Sequence, residues 1–196
     1  MLDTYGRKYV TPLINSCVKG VEKRGLTPTQ VTTVAFVIGL ISAIAYYLNF
    51  IVLGVILLWL SGLLDAIDGA LARKMGMISK WGTLLDITFD RLVEIALLFV
   101  VALKCVEARM AIILVLGSII FSMTVFLTVG ALADNNGKKS FRYQAGLAER
   151  TEGFVMITLM MVFPTHIMTL ALIFMFAIII TALQRLIEAK RLFEMK

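Results

Sequence analysis

The sequence predicts an all-α membrane protein: six transmembrane helices preceded by an N-terminal amphipathic helix lying in the membrane interface. Three observations predict it. Of 196 residues, 60% are hydrophobic and only 16% charged, against about 45–50% and 25% in a typical soluble domain. The apolar residues come in blocks: residues 31–64, 110–133 and 153–184 contain no Asp, Glu, Lys or Arg, the pattern of membrane spans rather than of a dispersed core. Finally, every one of the 19 Lys and Arg residues except Lys104 and Arg109 falls on the same side of a six-span layout.

The elements follow in order. Residues 1–24 form a juxtamembrane segment with charges throughout and no uninterrupted apolar stretch of the kind a cleavable signal peptide needs. Within it Leu2, Tyr9, Val10, Leu13, Ile14, Cys17, Val18 and Val21 approximate one helical stripe, with Arg7, Lys8 and Lys19 elsewhere, so residues 3–23 read as a helix on the cytoplasmic leaflet. Residues 25–196 form the transmembrane domain. The run 31–64 is too long for one crossing of about 20 residues and suits two. Its break falls in YLNFIVLG, where Asn49 is the one strongly polar residue, giving spans near 30–48 and 52–74. A third span covers about 82–103, KCVEARM makes a tight turn, and a fourth covers about 108–133. DNNGKKSFRYQAG (134–146) is polar, basic and glycine-bearing, hence a loop. A fifth span starts near Arg150 and ends at FPTH, where Pro164 forbids continuation, and a sixth fills 167–190. The distribution of Lys and Arg places both termini in the cytoplasm. The net charge of +6 suits an anionic membrane surface, and no nucleic-acid-binding motif accompanies it. Cys17 and Cys105 lack metal-ligand spacing and read as packing thiols. His166 falls in an outer loop, away from the acidic residues, with no catalytic role expected.

Those acidic residues are the anomaly. Asp65 and Asp68 are three apart near the cytoplasmic half of the second span, and Asp86 and Asp90 are four apart on the third; each pair shares a helix face. A charge at bilayer depth costs roughly 2.5–3.5 kcal/mol even on the lenient insertion scale. If the two spans pair antiparallel, four carboxylates converge close to the cytoplasmic interface. They repel one another, and hard divalent cations offset that repulsion. Oxygen donors suit Mg²⁺ or Mn²⁺, and four carboxylates suit two ions, the arrangement used to activate phosphoryl oxygens. Gly69 and Gly82 allow a ligand or helix to approach closely, and Arg73 can hold a diphosphate with two prongs. The set describes a nucleotide diphosphate site. On charge alone two other readings stay open: intramembrane ion pairs with Arg73 and Arg91, which would leave two Asp uncompensated, and an ion pathway of a cation transporter.

The stretch DAIDGALAR (65–73), eight further residues, and GTLLDITFD (82–90) are similar to the signature of the CDP-alcohol phosphotransferases, D-x2-D-G-x2-A-R-x8-G-x3-D-x3-D, with all eight fixed positions matched at every spacing. GLTPTQVT (25–32) resembles that family's entry into its first span, and DRLVE (90–94) and GLAERTEG (146–153) resemble the subgroup that includes phosphatidylinositol-phosphate synthases. The resemblance covers about residues 20–155 and agrees with six helices.

It implies a reaction in which an alcohol attacks the phosphoryl group of a CDP-linked lipid, CDP-diacylglycerol, and displaces CMP. By position, Asp65, Asp68 and Asp86 would bind the metals, and Asp90 would complete that site and act as general base. Gly69, Ala72, Arg73 and Gly82 would shape the CDP site, with Pro28 and Thr32 contributing from the first span. A choline- or ethanolamine-transferring relative is the alternative within the family. The resemblance also implies a homodimer. Inositol-phosphate users carry a basic pair in the fourth span and a second Arg after the loop; here Gly130, Leu132 and Gly153 stand at those positions, leaving Arg150. With Thr124 and Thr128 nearby, the departure points to a small, less charged polar alcohol. Lys138, Lys139 and Arg142 read as a solvated basic loop.

Overall fold

The structure is a computed structural model and describes residues 2–134 and 149–194. Among the described residues there are α-helices and one short 3-10 turn, and no strand. The helices are α1 (Leu2–Lys23), α2 (Pro28–Tyr47), α3 (Ile51–Met75), α4 (Lys80–Lys104), α5 (Arg109–Asp134), α6 (Arg150–Val162) and α7 (Ile167–Glu194), with the 3-10 turn at Pro164–His166.

Local chemistry sets the helix ends. Thr27 caps α2: its hydroxyl accepts from the Gln30 N–H at 3.3 Å, and the Gln30 side chain accepts from the Thr27 N–H at 2.9 Å. Pro28 follows at the first helical position, where a missing N–H costs nothing. Between α2 and α3, Asn49 takes a positive φ of 69°, a conformation Asn tolerates better than most residues. Gly76, at φ 65°, closes α3. Ser79 opens α4 by accepting the Gly82 N–H at 3.0 Å. Pro164 follows the end of α6, as its missing N–H requires.

Four segments are long and apolar enough to cross a membrane: Pro28–Tyr47, Ile51–Met75, Arg109–Leu132 and Pro164–Arg191. The six spans expected from the sequence correspond to α2–α7, and two of these do not meet that standard. α4 carries Asp86, Asp90, Arg91 and Glu94 along its length. α6 has only 13 residues, where about 20 are needed to cross the hydrocarbon core.

The chain divides into two compact units, Gly6–Lys104 being one. In it α2 packs along both α3 and α4. Two buried serines join α2 to α3: Ser42 Oγ donates to the Gly54 carbonyl and Ser61 Oγ to the Ala35 carbonyl, each at 2.7 Å. Such bonds hold helices where no hydrophobic force drives them together. Against α4, Gly39 admits the Val93 side chain so closely that a Cβ would meet Val93 Cγ2 at 2.5 Å. Phe36 stacks on Phe89 with centroids 4.2 Å apart. At the far end of α4, Lys104 Nζ donates to the Tyr46 carbonyl at 3.1 Å and to Asn49 Oδ1, and lies 5.0 Å from the Tyr46 ring centroid. That contact places a cation on the C-terminal carbonyls of α2.

α1 belongs to this packing. Val18 is 2% exposed, and Ile14, Cys17, Val18 and Val21 cluster with Val31, Leu63, Leu64, Ile67, Ala70 and Leu71. The described part of the expected apolar stripe is thus turned onto α3 and α2; the side chains of Leu2, Tyr9, Val10 and Leu13 lie outside the described residues. An ion pair of Glu22 with Lys74 ties the end of α1 to the end of α3.

The second unit contains Cys105–Lys196. α5 and α7 run against each other, α6 packs on α7, and Arg185 covers the Phe126 ring at 5.1 Å.

Candidate active site

In the first unit, α3 and α4 bring Asp65, Asp68 and Asp86 together, with one carboxylate oxygen from each within 4.8 Å of the other two. The i, i+3 spacing puts the first two on one face of α3, and their other neighbours explain why that face is polar. The back of the same turns, Ile67 and Leu71, is buried against α1 and α2. Asp68 is the innermost of the three at 5% exposure. Thr32 and the Gly69 backbone act on Asp68 from close by. The Thr32 hydroxyl donates to the Pro28 carbonyl at 3.0 Å. Asp68 Oδ2 is buried and accepts nothing. A buried acceptor without a donor is rare, and a hard cation satisfies such an oxygen. Three carboxylates in this space are therefore a donor set fit for Mg²⁺ or Mn²⁺.

Asp90 lies one turn further along α4, half-buried, outside that group of three but under the influence of the charges on Asp86 and Asp68. The remaining expected residues fall around the cluster. Arg73 is exposed and folds back over Gly69, where a Cβ would meet its Nη1 at 3.4 Å. Its charge acts on Asp68. Ala72, partly buried, follows Gly69 on the same helix face. At Gly82 a Cβ would meet Ser79 Oγ at 3.1 Å, so the glycine makes room for the hydroxyl that caps α4. Pro28 and Thr32 stand on the first turns of α2.

Other expected residues belong to the second unit. Arg150 opens α6 with its guanidinium 5.4 Å from the Phe154 ring. Thr124 and Thr128 are exposed on α5, and the Thr124 hydroxyl bonds back to the Ile120 carbonyl at 2.8 Å. Lys138, Lys139 and Arg142 lie outside the described residues.

One charged residue of the first unit, Glu94, escaped the sequence reading. Arg91, weighed there as a partner for the aspartates, pairs with Glu94, which is only 3% exposed. Their i, i+3 spacing in DRLVE was the available signal.

The model of the CDP-alcohol phosphatidyltransferase family matches residues 25–185. The chain belongs to this family. The transferase is 34% identical to archaetidylinositol phosphate synthase of Pyrococcus horikoshii over 183 residues, 90% of either chain. It is also 34% identical to the inner membrane protein YnjF of Escherichia coli over 175 residues, 84% of this chain and 83% of that one. Among solved structures, phosphatidylinositol phosphate synthase of Mycobacterium tuberculosis with CDP-DAG bound has a TM-score of 0.72 at 24% identity, covering 91% of this chain and 94% of that one. The same Mycobacterium tuberculosis enzyme in complex with manganese and citrate gives 0.71 at 23% identity, covering 90% and 88%. At those identities the likeness is one of fold. The family, with the four apolar helices, makes this transferase an integral membrane enzyme of phospholipid biosynthesis.

Proposed function

We propose that the enzyme transfers a phosphatidyl group from CDP-diacylglycerol to the hydroxyl of a small polar alcohol and releases CMP. The observation that carries this reading is the buried, donor-less Asp68 Oδ2 in a group of three carboxylates that each bring one oxygen within 4.8 Å of the others, set in the family's full motif. The solved relatives crystallised with CDP-DAG and with manganese support it.

In this reading Asp65, Asp68 and Asp86 hold two divalent cations, Mg²⁺ or Mn²⁺, with Asp90 completing the set. Bound there, the ions neutralise the diphosphate and stabilise departing CMP. Thr32 and Pro28 orient Asp68 from α2. Arg73 grips the diphosphate, while Gly69, Ala72 and Gly82 leave room for CDP. Asp90 takes the proton of the acceptor hydroxyl as its oxygen bonds to the lipid-bearing phosphorus and the bond to CMP breaks. Arg150 serves the acceptor. Six spans place the site and both termini on the cytoplasmic side, α1 lies along that interface, and the enzyme works as a homodimer.

The name of the Pyrococcus horikoshii relative points to a phosphorylated inositol, but Gly130, Leu132 and Gly153 supply no cation for its phosphate. We therefore favour a less charged acceptor. The test offers CDP-diacylglycerol or CDP-choline with Mg²⁺ and a panel of acceptors: inositol, inositol phosphate, glycerol, glycerol phosphate and serine. CMP release from CDP-diacylglycerol with an uncharged alcohol supports the reading. Release only from CDP-choline with diacylglycerol overturns the donor, and a strict need for inositol phosphate overturns the acceptor.

A further inference from the structure

The apolar segment Ile51–Met75 ends where α3 ends, yet the chain beyond it does not turn polar. In the connection to α4 and the first turn of that helix, Met77 is 48% exposed, Ile78 71% and Trp81 61%. Apolar side chains grouped on an outer surface mark a contact with something apolar. The charge around them has one sign: residues 69–85 contain Arg73, Lys74 and Lys80 and no Asp or Glu. Arg73 turns back over Gly69 and Lys74 pairs with Glu22, while Lys80 stands exposed beside Trp81. At about 1.5 Å per residue, Met75 lies roughly 10 Å along α3 from Asp68, and Trp81 roughly 8 Å along α4 before Asp86. The connection thus closes the end of the helix pair that carries the carboxylates. Tryptophan beside lysine is the chemistry of a membrane interface: the ring sits at headgroup level, and each nearby Lys favours acidic lipid by about fivefold.

We infer that the α3–α4 connection is an acidic-phospholipid-binding element: Met77, Ile78 and Trp81 enter the interface and Lys80 holds a phosphate headgroup beside the mouth of the aspartate group. Charge complementarity selects the acidic lipid, and the end of the apolar segment at Met75 sets these side chains where a bilayer passes from hydrocarbon to headgroups. That favours lipid over a protein partner as the occupant.

The experiment uses the full chain with Trp59→Phe in lipid nanodiscs, which leaves Trp81 as the sole tryptophan. Phosphatidylcholine discs carry the same fraction of either acyl-brominated phosphatidylglycerol or acyl-brominated phosphatidylcholine, and quenching of Trp81 emission is read. Both lipids should quench, the brominated phosphatidylglycerol more strongly. Lys80→Gln should cut that preference by about fivefold, and Lys80→Arg should keep it. Should Trp59→Phe fail to fold, the Trp81 signal is the difference between wild type and Trp81→Phe. Quenching by aqueous acrylamide but by neither lipid puts the connection in water or under a protein partner and overturns the inference. Equal quenching by the two lipids, or a preference that survives Lys80→Gln intact, overturns it as well. No donor and no turnover enter the measurement, so its outcome is separate from that of the function proposed above.

Discussion

Asp68 combines 5% exposure with one carboxylate oxygen that accepts nothing. Asp68→Asn keeps the shape and removes the charge, so activity should disappear while the protein inserts and purifies normally. Chelator should do the same to the wild type, with Mg²⁺ or Mn²⁺ restoring turnover; full activity in excess chelator would rule the metals out. Arg73→Lys retains charge but loses the planar fork, and donor KM should rise. Unchanged kinetics would mean that Arg73 only reaches to the interface. Asp90→Asn separates base from ligand: donor binding should stay within a few-fold, while transfer falls by about 10²–10⁴. An Asn variant unable to bind Mn²⁺ or donor would make Asp90 chiefly a ligand. The aspartates were legible because charges are conspicuous among apolar runs. Glu94 was less so, because i, i+3 spacing from Arg91 allows a pair without saying that the carboxylate is buried.

At the scale of the element, α4 is held by small things: a serine cap, a stacked ring pair and a missing Cβ at Gly39. Val93 is β-branched and stiff, so it cannot swing clear of a methyl placed at 2.5 Å. Gly39→Ala should therefore cost ~1–3 kcal/mol of stability, read as a lower melting temperature in detergent. Val93→Ala in the same chain should recover part of the loss; strict additivity of the two would show that they do not meet. Helix boundaries were readable to within a few residues, since Pro28, Asn49, Gly76 and Pro164 act on the backbone locally. The use of α1 was not. Val18 and its neighbours sit on α2 and α3, and an apolar stripe looks the same whichever apolar partner covers it.

At the scale of the whole molecule, composition and block structure announced the membrane, while the number of crossings is harder because α4 and α6 trade hydropathy for charge and length. The two native thiols provide the measurement. With six crossings Cys105 lies outside and Cys17 inside. An impermeant maleimide added to intact cells should label Cys17→Ser protein and spare Cys105→Ser protein; the opposite result would reverse the orientation, and no external labelling of Cys105 would remove α4 as a crossing. The Lys104 contact with Tyr46 and Asn49 has a mechanical side. It fastens α4 to the α2–α3 connection at the end remote from the aspartates, so α2 and α4 behave as the two arms of a pair of tweezers joined at the base. Lys104→Met should loosen the joint, seen as faster amide exchange around Tyr47–Phe50; unchanged exchange there would show that the contact fastens nothing.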